Sequence, residues 1–262
     1  MHAISRCQFQ PIAQTLIKAY RKYYKISLDD CEKQHFTSLD DFFTRALKPQ
    51  RHTFEQQPNL LRSPAQGKLT DHGIIKKSHL IQAKKYQYSL EQFIQMSPSR
   101  WEEGYFYSIY LAPHNYHRIH MPIKGQLKRS CYVPGTLFSV NQKHLLKIPQ
   151  LFTRNERYIM EFETDIGPLI LVMIGALLVR GIETAWSNTQ LIHQMQKPKT
   201  WEDHNQTIFK QGQWLANFHM GSSLCLILPP NSLGNSLAEA GNIGLHHPLA
   251  KIKLAVKKGS NT

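Results

Sequence analysis

The sequence predicts an α+β fold, in which a helical N-terminal cap covers a mainly antiparallel β body. Two helix-like segments come early in the chain of 262 residues. From Leu60 onward, short alternating or apolar runs follow one another, separated by glycine and proline. We therefore divide the chain into a helical region over residues 1–59 and a β-rich domain over residues 60–262.

The first predicted helix covers residues 11–25 and is amphipathic. Its apolar stripe consists of Ile12, Leu16, Ile17, Ala19 and Tyr20, and lysine and arginine flank that stripe. A basic amphipathic helix either packs on a protein core or lies in a membrane interface. The sequence leaves both arrangements open.

Two further helices are predicted from their N-caps. Ser38 caps a helix that ends before Pro49, and Ser89 caps a short helix that reaches Met96. The strand candidates are the runs Tyr105–Leu111, Tyr158–Phe162, Leu169–Ile174, Leu177–Val179 and Leu224–Leu228. The polar stretch from Gln194 to Gln211 is predicted to be a surface loop.

The charge of the chain indicates a negatively charged partner. The formal net charge is +14 at pH 7, which favours an anionic membrane surface or nucleic acid over a neutral partner. Neither a zinc-finger pattern nor an RRM-type aromatic motif accompanies the basic residues, so we do not expect nucleic-acid binding. A solvated basic surface without a specific partner is the remaining alternative.

Other sequence features favour a cytosolic protein. The four cysteines are scattered without a CxxC pair, as expected of reduced thiols. The longest apolar stretch, Ile166 to Val179, is shorter than the roughly 18–20 residues that span a bilayer. The first residues do not follow the pattern of a secretory signal, so we do not expect secretion by that route.

Two segments carry candidate reactive residues. His117 and His120 lie three residues apart in the segment Tyr110–Pro122, and a Gly221-Ser222-Ser223 turn precedes an apolar run. Two histidines at this spacing are compatible with metal binding, but no third ligand is evident, so we predict no metal site. A hydrolase with Ser222 as nucleophile and His120 as base is a second possibility, although the Gly-x-Ser-x-Gly elbow is missing.

Together these segments resemble the bacterial, pyruvoyl-dependent phosphatidylserine decarboxylase proenzymes. The resemblance continues in order along most of the chain, through the segments Phe42–Pro49, Ser63–Gly67, Ile81–Lys84, Tyr88–Leu90, Tyr110–Pro122, Tyr132–Gly135, Leu137–Asn141, Arg154–Arg157, Ile174–Ala176, Gly181–Thr184 and Gly221–Ser223.

The resemblance implies that the chain cleaves itself between Gly221 and Ser222 into a long β chain and a short α chain. In such a reaction the Ser222 hydroxyl attacks the Gly221 carbonyl carbon. The resulting ester then undergoes β-elimination, and hydrolysis leaves a pyruvoyl group on the new N-terminus. A serine hydroxyl needs a general base at neutral pH, and the resemblance assigns that role to His120.

The resemblance also implies a catalytic cycle and a location. The pyruvoyl group forms a Schiff base with the amine of phosphatidylserine and accepts the electrons released as CO2 leaves. His117 then supplies a proton, and the product is phosphatidylethanolamine. Residues 1–59 become the membrane-associating region and residues 60–262 the catalytic domain of a homodimer, peripheral on the cytoplasmic face of the cell membrane.

The sequence departs from the family at Gln66. The family motif Pro-Ala-Asp-Gly reads Pro64-Ala65-Gln66-Gly67 here, so the aspartate expected to orient the histidine is replaced by its longer amide relative. An amide accepts a hydrogen bond but carries no charge. Two hypotheses follow: an active carboxy-lyase that uses Gln66 in place of the aspartate, or an uncleaved pseudoenzyme with a lipid-binding or regulatory role.

Overall fold

The computed structural model describes residues 9–52, 54, 57, 59–82, 86–176, 181–191, 201–204, 207–219 and 222–253. Over these residues the fold is α+β, with the longest helix near the N-terminus and sheets of antiparallel strands through the rest. The predicted fold class is confirmed. The boundary at residue 59 stays a prediction, although the N-terminal residues do have a small core of their own.

Helix α1 spans Gln10–Tyr24 and confirms the helix predicted at residues 11–25. Pro11 lies in the first turn, where its missing N–H is not needed. Lys25 ends the helix in the left-handed conformation. The buried side of α1 contributes Ile17 to the N-terminal core, which also contains Leu28, Cys31, Phe36 and Phe42.

The other helices are short. Helix α2 spans Leu39–Phe43, and the Ser38 hydroxyl accepts the Asp41 N–H at 3.1 Å, as the predicted cap requires. Helix α3 spans Leu90–Ile94 and is capped by the predicted Ser89. Helices α4 and α5 are the single turns Gln142–Leu145 and Leu151–Arg154. None of the described helices is long and apolar enough to cross a membrane.

The strands fill most of the remaining described chain. They are β1 Leu60–Arg62, β2 Gly67–Ile74, β3 His79–Gln82, β4 Tyr86–Ser89, β5 Tyr105–Leu111, β6 Arg118–His120, β7 Gly125–Val133, β8 Arg157–Thr164, β9 Gly167–Ile174, β10 Ile182–Thr184, β11 Ser187–Leu191, β12 Trp201–Asp203, β13 Ile208–Phe209, β14 Trp214–Phe218, β15 Ser222–Leu228, β16 Leu233–Ser236, β17 Gly241–Ile243 and β18 Pro248–Ile252.

The main sheet forms the core of the protein. Its order is β12-β7-β8-β9-β15-β5-β2-β17, with β13 paired beside β7. Strand β15 lies between β9 and β5, and all its residues are buried. A continuous apolar run is typical of a strand covered on both faces, which is why the run Leu224–Leu228 predicted this strand correctly.

Three smaller sheets complete the described part of the body, and the smallest consists of β3 and β4. A four-stranded sheet has the order β11-β10-β14-β6, and a three-stranded sheet has the order β1-β18-β16. Strand β14 belongs to the first of these and β15 to the main sheet. The chain therefore passes from one sheet to the other between Phe218 and Ser222.

The prediction for Gln194–Gln211 was partly wrong. Strands β12 and β13 lie within it and pair with β7. The Arg129 guanidinium lies 4.5 Å from the ring centroid of Trp201, so a cation–π contact helps to hold β12 against β7. The predicted strand Leu177–Val179 lies outside the described residues.

Candidate active site

Ser222 is the first residue of β15. It is 0% exposed, and its hydroxyl has no hydrogen-bond partner among the described residues. A buried hydroxyl without a partner costs about 1–3 kcal/mol, so its position does not favour stability. Gly221, the other residue of the predicted cleavage site, lies outside the described residues.

The histidine segment lies beside the chain that leads into Ser222. Ser222 pairs with Leu111 at the end of β5. A few residues away, the Phe218 N–H donates to the His117 carbonyl at 3.1 Å. These two pairings bracket the predicted cleavage site, so tertiary structure brings together the two segments that the sequence singled out.

His117 is a neutral imidazole in a dry environment. Its ring is 0% exposed and packs against Phe43, with 4.1 Å between the ring centroids. Nδ1 donates to the Asn115 carbonyl at 2.8 Å, because a carbonyl only accepts. Nε2 therefore carries a lone pair, and it has no partner among the described residues. Burial lowers the pKa of His117 to about 3.

His120 is also buried, but both of its ring nitrogens have partners. Nδ1 donates to the Gly212 carbonyl at 2.8 Å, and the Tyr116 hydroxyl donates to Nε2 at 3.1 Å. Burial raises the pKa of Tyr116, which keeps its hydroxyl protonated as a donor. The Nε2 lone pair is thus held by a phenol, and the unpartnered Ser222 hydroxyl makes no hydrogen bond to it.

Gln66 contacts the backbone of the histidine segment. Its Oε1 accepts the Tyr116 N–H at 3.0 Å, and the side chain is exposed to solvent. Gly67, the next residue, lies so close to β5 that an added Cβ would collide with the Tyr110 carbonyl oxygen. The Gly212 carbonyl, rather than Gln66, is thus the observed partner of His120 Nδ1. The catalytic roles of Ser222, His120, His117 and Gln66 stay predictions.

A histidine–carboxylate pair was missed by the sequence analysis. His219 is buried, and its Nδ1 lies 3.1 Å from both carboxylate oxygens of Asp40 in α2. On the other side of the ring, Nε2 lies 3.6 Å from the Glu183 carboxylate. His219 stands two residues before Gly221 in the sequence, and this closeness to the predicted cleavage site was a signal that could have identified it. However, Asp40 is 179 residues away along the chain, and no local pattern connects the two.

Among the described residues, the histidines are not gathered into a metal-binding group. In the described part of the chain, no group of three or more His, Cys, Asp or Glu side chains is arranged to hold an ion. The donor hydrogen bonds of His117 and His120 to backbone carbonyls instead fix one tautomer in each ring. Both rings thus present Nε2 as the basic atom.

Comparison with known proteins identifies the family. The family profile for phosphatidylserine decarboxylase matches residues 39–256. A phosphatidylserine decarboxylase proenzyme of Shewanella putrefaciens is 40% identical over 228 residues, covering 83% of this chain and 78% of its own. That of Shewanella sediminis is 36% identical and covers 96% and 95%, respectively, and that of Coxiella burnetii is 35% identical and covers 85% and 81%. The chain belongs to the phosphatidylserine decarboxylase family.

Proposed function

We propose that the chain is a phosphatidylserine decarboxylase proenzyme that cleaves itself before Ser222 and converts phosphatidylserine to phosphatidylethanolamine and CO2. The observation that carries the proposal is the Ser222 hydroxyl, which is fully buried and has no partner among the described residues. The relatives at 35–40% identity are named as proenzymes of this activity.

The surroundings of Ser222 fit conversion to a pyruvoyl group. No described side chain depends on the serine hydroxyl for a hydrogen bond, so its loss leaves no donor or acceptor unsatisfied. The pyruvoyl group, once formed, supplies a carbonyl that takes up the electrons released with CO2. The protein's own contribution is to handle protons near this position and to exclude water from it.

The two histidines are both arranged as bases. His120 has its Nε2 lone pair held by the Tyr116 hydroxyl, and that hydrogen bond must break or shift before Nε2 takes a proton from Ser222. His117 has an unpartnered Nε2 but a strongly lowered pKa. As a proton donor it must first gain a proton, so its role in turnover requires a change in its surroundings.

The uncleaved alternative is favoured by one observation. The family aspartate is Gln66 here, and the observed partner of His120 Nδ1 is the neutral Gly212 carbonyl. A carbonyl orients the ring but stabilises an imidazolium less than a carboxylate does. A chain that never matures would keep its lipid-binding surfaces and lack decarboxylase activity.

Intact-mass spectrometry of the purified protein separates the two functions. Self-cleavage gives the fragments 1–221 and 222–262, the second one blocked by the pyruvoyl group, and Ser222→Ala stays intact. Phosphatidylethanolamine formation is then measured on the cleaved protein. A wild-type chain that remains unbroken after long incubation contradicts the decarboxylase proposal and supports the pseudoenzyme.

We also propose that helix α1 lies on an anionic bilayer. One half of its apolar face packs on the N-terminal core, whereas the other half remains exposed, with Phe9 64%, Ile12 48% and Tyr23 79% exposed. Lysines border that exposed half. On this proposal, one helix combines both arrangements that the sequence leaves open.

Vesicle cosedimentation tests the membrane proposal. Tyr23→Asp is expected to weaken binding to phosphatidylglycerol-containing vesicles at least threefold, because it places a carboxylate on the exposed apolar half. Ile208→Asp is the matched control, since Ile208 is 59% exposed on β13. Equal loss in both variants would show that net charge, rather than α1, governs binding.

A further inference from the structure

A cavity of about 440 Å³ lies between the N-terminal region and the β body. Lys25, Asp30, Arg45 and Arg51 line it from the N-terminal side, and Gln66 and Tyr116 line it from the body. Its volume is within the range of small-molecule sites. It also adjoins the candidate active site, because the Tyr116 hydroxyl bonds His120.

The charges that line this cavity are unbalanced. Arg51 pairs with Asp30 at 3.2 Å. Arg45, in contrast, is only 6% exposed, and no carboxylate lies within 4 Å of it in the described part of the chain. Burying a cation without an opposite charge is costly. The cavity therefore has an excess of positive charge that an anionic ligand would neutralise.

The hydrogen bonds of the Arg45 guanidinium are weak. It donates to the carbonyls of Phe42, His114 and Asn115 at 3.3–3.4 Å and to the Cys31 thiol, whose sulfur is a weak acceptor. These distances are long for N–H···O bonds, whose usual range ends near 3.2 Å. Planar guanidinium groups are well suited to bidentate contact with phosphate.

Arg45 and His117 share one hydrogen-bond acceptor. The Asn115 carbonyl oxygen accepts from Arg45 Nη2 at 3.3 Å and from His117 Nδ1 at 2.8 Å. The two side chains thus converge on one oxygen atom. A ligand bound at Arg45 is held beside one of the two candidate catalytic histidines.

We propose that this cavity binds the phosphodiester headgroup of the glycerophospholipid substrate, with Arg45 as the main counter-ion of the phosphate and Lys25 at the rim. The proposal rests on the proposed function, which supplies a phospholipid substrate. Inorganic phosphate shares the relevant chemistry and is distinguished by the experiment below.

The route from the membrane supports this assignment. A second, more open cleft is lined by Lys18, Arg21 and Lys22 of α1 and shares Lys25, Ile26 and Ser27 with the cavity. Basic residues thus extend from the helix proposed to lie on the bilayer to the buried Arg45. A headgroup can follow this path while its acyl chains stay outside.

Headgroup binding would also raise the pKa of His117, which this residue needs in order to act as a proton donor. The positive charge of Arg45 is one cause of the lowered pKa of His117, after burial. A phosphate paired with Arg45 offsets that repulsion and raises the pKa of His117. The residue then gains a proton more readily when substrate is present than when the cavity is empty.

The test is calorimetric binding of glycerophosphoserine to the full-length Ser222→Ala protein, which is uncleaved and uniform. Arg45→Gln is expected to weaken binding at least tenfold and Lys25→Gln about threefold, whereas Lys128→Gln, at an exposed position of β7, leaves it unchanged. Lys25 is exposed, so its variant folds even if the Arg45 variant does not.

Three results would overturn the proposal: absence of saturable binding, equal affinity of the Ser222→Ala protein with and without Lys25→Gln, or binding of inorganic phosphate as tight as that of glycerophosphoserine. The outcome is independent of maturation. Specific binding by a wild-type chain that never cleaves would support the cavity assignment and reject the decarboxylase function. Normal turnover with an unchanged KM in Lys25→Gln would support the decarboxylase function and reject the cavity assignment.

Discussion

Replacing Gln66 by aspartate returns a carboxylate to the position where the family motif has one. In a serine-protease triad, replacing the aspartate by its amide lowers the rate about 10⁴-fold, which corresponds to roughly 5.4 kcal/mol in the activation free energy. If Gln66 stood in that relation to His120, Gln66→Asp would speed self-cleavage by a similar factor.

The structure predicts a much smaller effect. Gln66 bonds the Tyr116 backbone at 3.0 Å, and His120 Nδ1 is already held by the Gly212 carbonyl at 2.8 Å. An aspartate at residue 66 is one methylene shorter and exposed, so it changes mainly the hydrogen bond to Tyr116. Such a bond contributes about 0.5–1.5 kcal/mol. We therefore expect a change in cleavage rate of less than about tenfold.

The assay follows the fragments 1–221 and 222–262 over time by intact mass, at fixed pH and temperature. Gln66→Asn is the matched control, because it has the size of aspartate without the charge. The rate ratio of the Asp to the Asn variant isolates the effect of the carboxylate. A ratio above about 10³ would refute the reasoning and show that residue 66 orients the histidine during the reaction.

Three further predictions concern buried polar groups. Because the pKa of His117 falls from 6.5 to about 3 on folding, the unfolded chain takes up the proton first. The contribution of neutral His117 to the free energy of unfolding is fully present above pH 6.5 and decreases by about 3 kcal/mol by pH 4.5. Urea unfolding of wild type and His117→Asn should show this difference in pH dependence. Asp40→Asn should lower the free energy of unfolding by about 1–3 kcal/mol, because it weakens the hydrogen bond to buried His219. The matched variant Glu183→Gln changes a half-exposed contact of the same ring and should lower the free energy of unfolding by less than about 1 kcal/mol. Arg157→Met should cost about 3 kcal/mol or more in the same assay, since the buried guanidinium donates to four backbone carbonyls; a loss below 1 kcal/mol would show that those carbonyls find other donors.

Local pattern was sufficient for the elements that it predicted best. Tyr105–Leu111 is a strand with the bounds expected from its apolar run, and residues 11–25 form α1 almost to the residue. Such elements depend on the periodicity of their own side chains. Strand β12 shows where this fails, because Trp201–Asp203 has exposed residues and no apolar alternation. Its pairing comes from β7, which lies far away in sequence.

The sequence by itself determined which residues are able to react. A Gly-Ser bond before an apolar strand and two histidines in one segment identified Ser222, His117 and His120 as candidates, and the family motifs connected them. Residue identity sets the available chemistry, whatever the fold.

Only the tertiary structure decided the state of those residues. The Gly212 carbonyl accepts a hydrogen bond from the ring of His120, and Asp40 bonds the ring of His219. Arg45 shares the Asn115 carbonyl with His117. Each of these contacts joins segments that are distant in sequence. The contacts of Asp40 and Arg45 also depend on how the N-terminal region packs on the body. Tautomer, pKa and unbalanced charge depend on these neighbours and on exclusion of water, which exist only in the folded chain.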